Sequence, residues 1–254
     1  MFNYSNKGKP MKFLLNTMAS AITLTLALAA SSSVDAKIQP VAVQQEVLTQ
    51  AHAAREPQGL RAAAELGLRN VISDLTRDLK VGSLPADFPF DVNDLSELKN
   101  AKLGLSFEVS TIQPQTLLAG GRPMEQMVTG TGIWNFVVSV NNAPVALLEL
   151  EKSYGKWVVN GVGGAKLAQD VQANAQNHSG KEAFRFVRIY QATADFMEVR
   201  DSNSKARYVP LIAARETLKM APAPATNAVN LSDGNDLLPT LQNTVRANIA
   251  RLPR

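Results

Sequence analysis

Residues 131–164, TGIWNFVVSVNNAPVALLELEKSYGKWVVNGVGG, constrain the fold more than any other part of this chain. Trp134, Phe136, Val138 and Val140 alternate with Ile133, Asn135, Val137 and Ser139. A period of two places these sets on opposite faces of a strand. Asn141 and Asn142 suit a turn, and Pro144 opposes a helix. Residues 145–150 read as a second strand, nearly all apolar. After Ser153, Tyr154 and Gly155, residues 156–162 read as a third, with Trp157 and Val159 on one face. Short strands joined by short turns predict an antiparallel meander. Both tryptophans are expected on one face, either as core or as an aromatic binding surface.

The surrounding segments predict helices that cover this sheet. Residues 38–55 read as a helix broken by Pro57 and Gly59. In residues 60–80 Leu60, Ala64, Leu68, Val71, Leu75 and Leu79 form one apolar stripe, and Gly82 closes it. Residues 103–112 alternate as a strand, and residues 165–175 form a short helix. Residues 184–199 read as one long strand. Apolar side chains on both parities imply that it is covered on both faces or bent at a bulge. Residues 201–205 form a turn and residues 207–211 return as a strand, with Pro210 pointing to an edge. Residues 212–219 favour a helix. Sequential strands without regularly interposed helices argue for an α+β fold rather than a doubly wound one. The expected architecture is amino-terminal helices packed on a bent antiparallel sheet, a helix-on-sheet arrangement.

The ends suggest further organisation. Lys7, Lys9 and Lys12 precede an apolar segment, and Val34-Asp35-Ala36 offers small residues for cleavage, so residues 1–36 read as a secretory signal. Met11 opens a compact signal by itself. Residues 37–219 would be the α+β body, with two small subdomains divided near 164–180 as the alternative. Residues 220–230 form a Pro/Ala linker. Residues 231–254 carry Leu237, Leu241, Val245, Ile249 and Leu252 at helical spacing, with Asp236 as a cap. That helix either docks on the body or touches a partner or an anionic membrane. The chain has no cysteine, which excludes disulfides and a lipidated amino-terminal Cys. Its net charge is +4, and removing the signal's three lysines and one aspartate leaves +2. No basic run with interleaved aromatics suggests nucleic acid.

Chemistry is sparse. His52 lies among alanines and His178 in a polar turn, at no zinc-binding spacing. Ser179 next to His178 is adjacency only, and no GxSxG occurs. Asp87, Asp91, Asn93, Asp94 and Glu97 lack calcium-loop order and read as loop acids, with Asp94 or Ser96 capping a turn. Glu149 and Glu151 share a face about 6.5–7 Å apart, a spacing compatible with a carboxylate-dependent hydrolase or with a solvated sheet face. No cofactor is implied. The glycine-rich residues 117–132 read as a loop beside the meander, without the GxxxxGK of a phosphate loop.

Within that loop, Gln126-Met127-Val128-Thr129-Gly130 fits the pattern QxVxG. It resembles the first inhibitory hairpin of cystatins. The resemblance implies inhibition of papain-like cysteine proteases through Gln126, Val128 and Gly130. Trp157 follows Lys156, not the proline of that family's second hairpin. The leading expectation is an exported, non-enzymatic binding or accessory protein of the cell envelope with a protein partner. Its candidate contact residues are Gln126, Val128, Gly130, Trp134 and Trp157.

Overall fold

The computed structural model describes residues 38–78, 84–178, 184–201, 203–220 and 231–251. The expected signal segment, Leu79, Gly82, Ser179, Leu252 and all but the first residue of the expected linker lie outside these. The fold is α+β: one eight-stranded sheet with helices on both faces, in the order β4-β3-β2-β1-β5-β6-β7-β8. Four strands form the amino-terminal half: β1 (Lys102–Ile112), β2 (Val128–Val140), β3 (Ala143–Ser153) and β4 (Lys156–Gly163). The other half is β5 (Arg185–Ile189), β6 (Ala194–Arg200), β7 (Ala206–Pro210) and the two-residue β8 (Ser232–Asp233). All neighbours are antiparallel except β1 and β5, which run parallel at the centre. A parallel pair needs a long crossover, and the rest of the meander and a helix supply it. The sheet therefore runs continuously across residues 164–180, where two subdomains were the alternative.

Helices α1 (Ile38–Ala53), α2 (Leu60–Asp78), α3 (Pro114–Ala119), α4 (Ala165–His178), α5 (Ile212–Thr217) and α6 (Gly234–Ala250) complete the chain. On one sheet face Phe107, Val109, Val137, Leu147, Phe186, Met197 and Val209 pack against Leu48 of α1 and Ala168, Val171 and Ala175 of α4. This core draws on both halves of the sheet. The other face holds two cores. Leu60, Ala64 and Leu68 of α2 cover Trp134, Phe136, Leu148 and Leu150. Leu237, Leu241 and Val245 of α6 cover Val187, Phe196 and Tyr208. Gly67 explains how closely α2 lies on β4, because a Cβ there would collide with Val159.

Several expectations change. The single long strand over 184–199 is two strands, β5 and β6, turned by a 3-10 segment at Tyr190–Ala192 and by Thr193 with φ 49°. No Gly, Pro, Asn or Asp marks this turn, so the sequence reads through it. Coverage of both faces is as expected: six consecutive β6 residues are buried. The glycine-rich loop is shorter than predicted, since β2 already begins at Val128. α6 is capped by Asp233, which accepts from the Asn235 N–H at 3.0 Å, while Asp236 sits in its first turn. Leu237, Leu241 and Val245 of its apolar stripe are buried against β6 and β7, while Ile249 is exposed. Asp94 does cap the turn Leu95–Asn100, with Glu97 closing a capping box.

Candidate functional site

β1 and β5 share three paired positions, Val109 with Phe186, Ser110 with Val187 and Thr111 with Arg188. On the amino-terminal side of these the pairing ends, since β5 begins at Arg185 while β1 runs back to Lys102. His52, near the end of α1 and 2 % exposed, stands in the gap. Its Nε2 accepts a hydrogen bond from the Phe184 backbone N–H at 3.2 Å. The ring also bonds the Ser106 backbone in a way that favours the proton. With Nε2 accepting, Nδ1 carries the hydrogen and donates to that carbonyl. Continuing the register two residues back sets Phe184 opposite Phe107, so the imidazole occupies the place of the next rung. The Phe184 ring lies against it at 4.3 Å. Burial pulls the His52 pKa down to about 4, the Ser106 bond opposes this, and Arg55 lowers it further.

The segment linking α1 on one face to α2 on the other passes through the same gap. Glu56 accepts from the Ser106 hydroxyl at 2.6 Å and forms an ion pair with Arg61. Arg61 in turn lies over the Phe136 ring at 5.2 Å. These contacts tie the crossing segment to β1 and β2.

Beside His52 is a cavity of about 170 Å³, lined by His52, Arg55, Phe107, Glu108, Ser110, Trp134, Phe184 and Arg185. Phe107 belongs to one face of the sheet and Trp134 to the other, because the parted strands leave an opening between them. β2 is bulged here: Glu108 pairs with Trp134, but Ser110 already pairs with Gly130. The sequence Thr129-Gly130-Thr131-Gly132 makes this bulge. Gly130 leaves room for the Glu108 carboxylate, which any Cβ would strike. Gly132, at φ 78°, donates its N–H to that carboxylate at 3.0 Å. Thr131 donates its hydroxyl to the Val109 carbonyl at 2.6 Å.

The charges of the cleft differ in how they are used. Arg185 donates to Glu198 at 2.5 Å and to the Glu125 carbonyl at 3.2 Å. Glu198 is 5 % exposed and also accepts from the Tyr208 hydroxyl, whose pKa burial and this carboxylate push far up. Arg185 is thus neutralised within the body. Glu108 accepts only a backbone amide, and Arg55 has no ion pair among the described residues. Two opposite charges therefore line the cavity without a charged partner among the described residues.

Of the residues singled out from the sequence, Trp134 lines this cleft and Gly130 shapes it. Gln126 is exposed at the end of the turn Met124–Gln126, and Val128 packs towards the α6 core. Residues 128–130 pair along β1 and do not form a hairpin tip, so the arrangement differs from the inhibitory hairpin their sequence resembles. Trp157 shares the α2 core with Trp134, but on the outermost strand, under Lys152 at 5.1 Å. Its Nε1 is buried without a partner. Glu149 and Glu151 line none of the cavities described here, and Glu149 accepts from Asn160 at 2.8 Å. His52, Arg55, Ser110 and Arg185 were missed as site residues. The signals were a lone His in an alanine-rich helix, three residues before Arg55, and two glycines flanking Thr131.

A second hollow, of about 470 Å³, is lined by residues that include Arg207, Met220, Leu231 and Asp236. Among the described residues no three His, Asp or Glu converge to hold a metal. No described helix is long and apolar enough to cross a membrane. No protein-family model, curated protein or solved structure matches this chain.

Proposed function

We propose that this chain is an exported, non-enzymatic binding protein of the cell envelope, and that it binds through the cleft where β1 and β5 part. The observation that carries this reading is the pairing of aromatic walls with one anion and one cation that have no charged partner among the described residues. Such a mixture of apolar lining and few placed polar groups is what ligand sites share. Two of the groups that could do acid–base work are already bound: His52 through both ring nitrogens, and Glu56 by Ser106 and Arg61. Export rests on the lysine-led apolar start and small cleavage residues of the first 36 positions.

A thermal-shift screen of the processed chain against small acids, amines, zwitterions and sugars tests the binding reading. Hits are expected that disappear in both Ser110→Leu and Arg55→Glu, with far-UV circular dichroism unchanged. A panel with no hit, or with hits indifferent to both variants, contradicts it. Turnover of an ester, peptide or glycoside that Glu108→Gln abolishes would make the chain an enzyme instead.

A further inference from the structure

We infer that the ligand of this cleft is a small zwitterion, a free amino acid with an apolar side chain; the inference rests on the binding reading above. The charges set the class. Arg55 offers a planar guanidinium suited to a carboxylate. Glu108 offers a carboxylate suited to an ammonium group, and Gly132 already fixes it from behind. Arg185 adds no net charge because Glu198 and the Glu125 carbonyl hold it. His52 adds none because burial keeps it neutral and both nitrogens are engaged.

A cleft with one charge of each sign selects against simple ions. A carboxylate alone would leave Glu108 without a counter-charge, and an amine alone would leave Arg55 so. Arg55 is exposed and Glu108 half-buried, so the cost of leaving a charge unmatched falls on Glu108, and a lone carboxylate is the ligand most disfavoured. The rings of Phe107, Trp134 and Phe184 give the remainder of the ligand an apolar wall. Size sets the upper limit. A volume of about 170 Å³ corresponds to a handful of waters, at about 30 Å³ each, which matches one amino acid.

Calorimetric titration of the processed chain at pH 7 tests this. The probes are L-leucine, N-acetyl-L-leucine, which lacks the ammonium group, and L-leucinamide, which lacks the carboxylate. L-leucine should bind at least tenfold more tightly than either derivative. Arg55→Gln should weaken L-leucine at least tenfold and leave L-leucinamide unchanged. Glu108→Gln, which keeps an acceptor for Gly132, should weaken L-leucine and leave N-acetyl-L-leucine unchanged. Equal binding of all three probes, or none of L-leucine, overturns the inference. If the broader screen still yields cleft-dependent hits, the binding reading survives and only the zwitterion falls. If that screen is empty, both fall together.

Discussion

The two halves of the sheet are built differently. The β1–β4 half contains all the register shifts: two between β1 and β2, one between β2 and β3, and one between β3 and β4. The β5–β7 pairs run without any. The amino-terminal half also leaves part of one face open, where Val158 is 38 % exposed and Asn160 is in solvent, while β6 is buried on both sides. The regular half is a packing unit. The bulged half bends, and one bulge creates the recess that holds Glu108 at the junction. The proposed cleft lies where these two styles meet, at a parallel pair of three positions with the His52 imidazole beside it.

The contrast can be tested from its largest effect downwards. Phe196→Ala, in the doubly covered half, should cost about 3–5 kcal/mol in urea unfolding. Phe136→Ala, in the bulged half, should shift the same single transition by a similar amount, because the α1–α4 core joins the halves. Two separate transitions would break the comparison by making the halves independent.

His52 comes next. Its folded pKa of about 4 lies below the usual 6.5, so the native state holds the neutral ring. Below pH 6.5 the unfolded chain binds a proton that the native chain refuses. The contribution is fully present above 6.5 and is lost as pH falls towards 4, by about 3 kcal/mol in all. Stability measured against pH should fall across that window, and His52→Gln should flatten the fall.

Glycine substitutions have smaller effects. Gly67→Ala forces α2 away from Val159 and should cost about 1–3 kcal/mol, whereas Gly161→Ala meets nothing within 4 Å and should change stability by under about 0.5 kcal/mol. Equal costs would remove the case for close helix–sheet contact. The smallest effect is a gain. Tyr154 is fully exposed and holds φ 48° in the β3–β4 turn, so Tyr154→Asn should stabilise by up to about 1 kcal/mol in thermal unfolding.

The sequence exposes the bulged half better than the regular one. Trp134, Phe136 and Val138 alternate because one face meets α2 and the other carries Asn135 and Val137, so period two is visible. β5 and β6 are apolar on both faces, and their turn uses Tyr190, Gln191, Ala192 and Thr193, none a turn signal. They read as one strand for that reason. Gly130 and Gly132 look like loop residues from composition alone. In the structure they form a bulge: Gly130 makes room for a carboxylate 22 positions earlier, and Gly132 donates its N–H to that carboxylate. The parallel pairing of β1 with β5 is the least legible element. Nothing local in either strand encodes it, and it alone brings His52, Glu108 and Arg185 together.

The most direct test is amide chemical-shift mapping with the tightest compound from the small-molecule panel. The account predicts that the perturbed amides centre on His52, Arg55, Glu108, Ser110, Gly132 and Phe184, with the Glu149–Asn160 surface and the Trp157 edge unmoved. Perturbations centred on either of those two places, with the parted strands silent, would contradict it.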